Sequence, residues 1–239
     1  MLRNKIKHCV FHVPRRCYSG VTQPIDYNDP RINKSGRIWG WDDKKRRLES
    51  MIRVDQAGEF GAVIICRGQA SVLVNDPVIS EIQSQEENHL KVMEELVAER
   101  RVRPTILSPI WNVAGFAMGA ATASLGRPSA MACHKAVEDV ISEHYNDQIR
   151  DIHEMYNEPN DDFTSEKTKE QEQEYLFKTK AVDTREEELR KVLKQFRDEE
   201  LHHGEMAVEN EAQSAPFYQG MYTVIKSACN VAIWLSKKI

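Results

Sequence analysis

"FRDEELHHGE", residues 196–205, holds two overlapping copies of one spacing: Glu199 stands three residues before His202, and Glu200 three before His203. A helical wheel separates the two. With Leu189 at zero and about 100° per residue, Leu193, Phe196 and Ala207 fall within about 40° of zero, and so do Glu200 at about +20° and His203 at about −40°. Glu199 and His202 fall at about −80° and −140°, on the rim and the outer side. The inward pair is therefore Glu200 with His203.

The same placement recurs three times. On a second helix Ile79, Ile82, Met93 and Leu96 share a face with Glu86 and His89, again a Glu three before a His, while Glu87 points away. A first helix aligns Leu48, Ile52, Val63, Cys66 and Ala70 with Glu59, and a fourth aligns Met131, His134, Ile149 and Ile152 with Glu138, with Tyr145 two turns further along. Each of these helices puts a carboxylate where a core residue belongs.

Buried carboxylates need compensating charge, and these faces carry no Lys or Arg to supply it. A pair of divalent metal ions would. One Glu from each of two helices, with Glu-x-x-His from each of the other two, is the ligand set of a di-iron or di-manganese helical bundle. A single Glu-x-x-His is common on solvated helices, and a single Glu in an apolar stripe is usually a rim residue that reaches water; four in the order Glu59, Glu86/His89, Glu138, Glu200/His203 are a specific pattern. Imidazole and carboxylate without thiolate suit iron or manganese, with zinc left open by affinity alone.

The rest of the chain agrees with an all-α fold. Its 239 residues are 41% hydrophobic and 29% charged, with few Gly and Pro, and Glu, Lys, Arg, Ala and Leu dominate the central stretches. The net charge of −4 and the lack of a basic stripe in the body argue against nucleic acid as a partner. Five scattered cysteines form no C-x-x-C, which argues against a disulfide framework or a zinc ribbon. Residues 1–19 carry Arg3, Lys5, Lys7, Arg15 and Arg16 with no acid and read as a mitochondrial presequence. Residues 20–41 read as an irregular arm, and 42–239 as the main domain.

Helices are expected from Asp42 or Asp43 to about Val74, from Pro77 (capped by Asp76) to about Arg101, from Ser129 to about Tyr156, and from a polar leader after Thr164 to about Asn210. Between Pro104 and Gly126 no residue is charged. Its prolines, glycines and small side chains make this stretch weakly hydrophobic, which favours a buried or membrane-surface helix over a spanning one. A last segment after Pro216, with Val224, Ile225, Val231, Ile233, Trp234 and Leu235, is a second apolar candidate for covering the core or lying on a membrane.

"MIRVDQAGEFGA", "RPTILSPIWNVAGFAMGA", "AMACHKAVEDVISEHYNDQIRD" and "FRDEELHHGE" together resemble the 5-demethoxyubiquinone hydroxylase family, across roughly residues 45–239. The resemblance implies a ferritin-like four-helix bundle with a di-iron site, in which Glu59, Glu86, His89, Glu138, Glu200 and His203 are the iron ligands. It implies a monooxygenase that uses O₂ to hydroxylate the ring of a polyprenylated demethoxyquinone in ubiquinone biosynthesis. It further implies a His–Tyr pair near the metals, His144 and Tyr145, and NADH as reductant, although no G-x-G-x-x-G follows a strand here. The implied setting is peripheral, on the matrix side of the mitochondrial inner membrane, beside a lipid-presenting partner in a biosynthetic complex. The chain departs at Gln56, where the family commonly has His. A ferroxidase on the same bundle, and a metal-poor scaffold or lipid-binding subunit, are the rival readings.

Overall fold

The computed structural model describes the backbone at 41–157 and 169–239 and side chains at 43–155 and 185–239. The expected presequence, nearly all of the arm and the break around 158–168 lie outside these residues. The described residues form α1 (Trp41–Ala70), α2 (Pro77–Arg100), α3 (Ser108–Ser124), α4 (Arg127–Asn157), α5 (Lys169–Glu209), a 3₁₀ turn (Ala212–Ser214) and α6 (Tyr218–Lys238), with no strand among them. The all-α expectation holds at the level of a helical bundle.

Helix ends follow local chemistry. Asp76 caps α2, its Oδ1 accepting from the Val78 and Ile79 amides at 3.0 and 3.2 Å, with Pro77 in the first turn. Its Oδ2 accepts from Arg127 Nε at 2.7 Å, which ties the start of α4 to the start of α2. α1 stops at Ala70, four residues before the expected Val74. The Ser71 hydroxyl turns back to the Gly68 carbonyl at 2.6 Å and the chain reverses through Asn75 at φ 63°. Gly126, at φ 104°, makes the turn between α3 and α4.

The inward stripes of α1, α2, α4 and α5 meet in one core. Met51, Ile52, Met93, Tyr145, Ile152, Leu189, Leu193 and Phe196 pack at one end, and Ile79, Ala123, Ala130, Met131, Ala207 and Ala212 at the other. Between these two apolar plugs lies a polar layer to which each of the four helices contributes.

α3 and α6 lie outside this layer and are tied to each other. Trp111 Nε1 donates to Ser236 Oγ at 3.1 Å, and Thr105 Oγ1 donates to the Ile239 carbonyl at 2.6 Å. α3 crosses α1 at backbone contact: a Cβ on Gly119 would stand 2.1 Å from the Ile65 carbonyl oxygen, and one on Gly68 2.3 Å from that of Phe116. Only glycine permits so close an approach. The opposite side of α3 exposes Ile110, Val113 and Phe116. No helix among the described residues is long and apolar enough to cross a membrane.

The crossing is testable. Gly119→Ala is expected to destabilise the protein by about 1–3 kcal/mol, because backbone must move to admit the methyl. Gly58→Ala, also helical but with open space at the Cβ position, is expected to stabilise by about 0.5–1 kcal/mol. Chemical denaturation of both variants reads the difference.

Candidate metal centre

The polar layer is built from the residues that the wheel turns inward. Glu59 from α1, Glu86 and His89 from α2, Glu138 from α4, and Glu200 and His203 from α5 are all buried. They fall into two overlapping groups in which one donor atom per residue lies within 4.8 Å of the others: Glu59, Glu86, His89 and Glu200, and Glu86, Glu138, Glu200 and His203. Glu86 and Glu200 belong to both, so they stand between two subsites, and Glu59 and Glu138 close the outer ends.

Both imidazoles turn the same nitrogen inward. His89 Nδ1 lies 2.9 Å from Glu200 Oε1 and 3.5 Å from Glu59 Oε2. His203 Nδ1 lies 2.9 Å from Glu86 Oε1 and 3.0 Å from Glu200 Oε2. The outward nitrogens are held too: His89 Nε2 by Glu199 Oε2 at 2.6 Å, and His203 Nε2 by Gln85 Oε1 at 2.8 Å. Phe196 stacks on the His89 ring at 4.2 Å between centroids. Backing of this kind fixes tautomer and ring orientation for metal ligands.

Glu199 therefore does more than its rim position suggests. It is half-exposed and its other oxygen accepts from Gln195 Nε2 at 3.0 Å, yet its carboxylate reaches across to α2. A wheel drawn for one helix shows direction, not the neighbour within reach. His202 is exposed, as its outer position implies.

The expected His144–Tyr145 pair divides, because adjacent helix residues point about 100° apart. Tyr145 is buried and donates its hydroxyl to Glu59 Oε1. His144 turns to a separate polar group, its Nε2 2.9 Å from Gln148 Nε2 and 3.8 Å from Asp55 Oδ1. Gln148 also donates to Asp55 Oδ1 at 2.7 Å, and Asp55 is buried one turn before Glu59. Asp55 and Gln148 belong to no motif, and their only signal in the sequence is a polar residue on an inward stripe.

Electrostatics follow from burying so many acids together. Burial, then the nearby Glu200, raises Glu86 to about 8, and the same causes push Glu138 well up. For Glu200 burial is outweighed by hydrogen bonds from His203 and His89, which hold its carboxyl well below the usual range. Burial would lower the two imidazoles, but the carboxylates win: His89 is held well above its ordinary value by Glu199 and Glu200, and His203 is raised to about 10 by Glu200 and Glu86. Without metal the layer is thus compensated by protons. Glu59 Oε2, Glu86 Oε2 and Glu138 Oε2 are buried without a hydrogen-bond partner, and Glu86 Oε1 meets only His203 Nδ1, at 2.9 Å. A hard cation pair fits those oxygens and the two Nδ1 atoms.

Two outcomes follow. Glu86 and His203 are both raised, from 4.5 to about 8 and from 6.5 to about 10, so the metal-free fold binds more protons than the unfolded chain in those windows. Its Tm is expected to fall as pH rises from 6 to 8, while the Tm gained on adding Co(II) grows, because bound metal displaces the same protons; thermal scans with and without metal across that range read both. Glu199→Ala is expected to weaken metal binding by about 10–100-fold, measured by Co(II) titration.

Comparison with known proteins places this geometry. The chain matches the family described as "Ubiquinone biosynthesis protein COQ7" over residues 46–236. A Bos taurus protein named NADPH-dependent 3-demethoxyubiquinone 3-hydroxylase, mitochondrial, is 41% identical over 231 residues, 94% of each chain. The Saccharomyces cerevisiae 5-demethoxyubiquinone hydroxylase, mitochondrial, is 39% identical, covering 80% of this chain and 78% of that one. The Rhodospirillum rubrum 3-demethoxyubiquinol 3-hydroxylase is 40% identical, again over 80% and 78%. With a match that spans nearly all of the helical body, the chain belongs to the COQ7 family of ubiquinone biosynthesis proteins.

Proposed function

We propose that this chain is a ferritin-like di-iron monooxygenase that hydroxylates the ring of a polyprenylated demethoxyubiquinone in ubiquinone biosynthesis. The observation that carries the reading is the buried layer of four glutamates and two histidines in two overlapping donor groups, in a chain whose relatives are named for that hydroxylation. Overall, O₂, two electrons, two protons and a ring C–H give a ring C–OH and water.

Glu59, Glu86, His89 and Glu200 would hold one iron, and Glu86, Glu138, Glu200 and His203 the other. The iron pair supplies the activation of O₂. The residues around it orient and exclude. Tyr145 fixes Glu59 by its hydrogen bond, Glu199 and Gln85 fix the two imidazoles, and the apolar plugs limit water.

The isoprenoid tail and the membrane fall to α3 and α6. α3 has no charged residue and exposes Ile110, Val113 and Phe116; α6 exposes Val224, Val231 and Trp234 and ends in Lys237 and Lys238. Two tied helices with such faces suit peripheral docking on the mitochondrial inner membrane, on the matrix side, and the same face is open to a lipid-presenting partner. Electrons come from a reduced nicotinamide. NADH is the donor expected from the sequence, and several relatives are named as NADPH-dependent; either delivers the two electrons required.

Iron-loaded protein given demethoxyubiquinone in liposomes, ¹⁸O₂, and NADH or NADPH in parallel is expected to form a hydroxylated quinone with one labelled oxygen, and Glu200→Ala to form none. Absence of product with both donors from protein carrying two irons per chain would sink the hydroxylase reading.

A further inference from the structure

Two of the four carboxylates are gripped from α4 in the same way. Tyr145 donates to Oε1 of Glu59, and His134 stands with Nδ1 3.5 Å from Oε1 of Glu138, whereas Oε2 of each glutamate is buried and without a hydrogen-bond partner. His134 is 2% exposed and lies one turn before Glu138 on the inward face of α4. Its Nε2 is buried with no partner, and Glu138 is the one hydrogen-bond partner of Nδ1 among the described residues. Buried polar atoms are rarely left idle in folded proteins, and an idle one at a functional layer calls for a reason.

We propose that His134 is a positioning residue for Glu138: its Nδ1–H donates to Oε1 and so leaves Oε2 alone to a metal ion in the subsite of Glu86, Glu138, Glu200 and His203. The inference rests on the two-metal reading of the buried layer. A neutral imidazole carries one N–H, and Nδ1 is the nitrogen that faces an acceptor, so the proton belongs there. His134 and Tyr145 are three helical turns apart on one face of α4, at opposite ends of the polar layer, and each occupies the Oε1 of the terminal carboxylate it meets. One helix thereby restricts both outer glutamates to a single free oxygen. The arrangement also explains why α4 carries a buried histidine that belongs to neither donor group.

The test is equilibrium Co(II) binding to metal-free full-length protein, with two ions per chain expected for the unaltered chain. His134→Leu is expected to keep the first ion and weaken the second about tenfold or more, with the metal-free Tm unchanged or higher because an idle buried nitrogen is gone; His134→Gln, which keeps an N–H, is expected to restore the second step. No binding by the unaltered chain would overturn the two-metal reading itself. Two ions bound equally tightly by the unaltered chain and His134→Leu would overturn only the role of His134. If His134→Leu does not fold, ¹H–¹⁵N spectra of the unaltered protein loaded with Zn(II) decide the matter: a protonated Nδ1 on His134 supports the proposal, and a protonated Nε2 or a metal-bound nitrogen overturns it.

Discussion

Four glutamates share one dry layer, and the fold depends on how their charge is met. An unpaired carboxylate in such a place costs several kcal/mol, and among the described residues no Lys or Arg is buried to help. The metal-free chain meets the demand with protons. Glu86 and Glu138 are pushed toward the neutral acid while His89 and His203 are pushed toward the cation. These are the protons that a metal pair would displace, so the interactions that let the empty layer fold also make it a site whose occupancy depends on pH. The apolar plugs at both ends strengthen every one of these electrostatic terms by keeping water out.

Glycine solves a second problem. α3 has to pack against α1 while keeping its larger apolar side chains on its outer face. α3 approaches α1 so closely at Gly68 and Gly119 that its buried face is almost all backbone. Its larger side chains are then free to point outward, where Ile110, Val113 and Phe116 stand exposed. Small residues thus set both where α3 sits against α1 and which of its side chains face outward.

Much of this was legible in the sequence because burial and helical period act on the same residues. Ile79, Ile82, Glu86, His89 and Met93 repeat at helical spacing, and all five are buried in α2. Capping chemistry likewise marked the start of α2 at Asp76 and Pro77. Reach between helices was not legible. Glu199 sits on the rim of α5, and nothing in its own helix says that His89 of α2 is 2.6 Å away. Gln85 behind His203, and Asp55 with Gln148 beside His144, were hidden for the same reason. His134 was visible only as one more member of an inward stripe, since periodicity cannot distinguish a packed imidazole from one aimed at a carboxylate. The end of α1 moved because Ser71 and Asn75 close the helix locally, which the apolar pattern through Val74 concealed.

The two halves of the layer are alike in ligand type and unlike in what stands behind them. His89 is backed by the carboxylate of Glu199, held in turn by Gln195, whereas His203 is backed by the neutral amide oxygen of Gln85. An anion behind an imidazole makes it a stronger donor than an amide does. Glu59 is gripped by a phenol and Glu138 by an imidazole. On the two-metal reading, the ion beside His89 would therefore bind more tightly and carry more electron density than its neighbour beside His203. Such a difference would suit the proposed reaction, in which one atom of O₂ goes to a ring and the other to water, because the two sets of residues would then hold unlike ions.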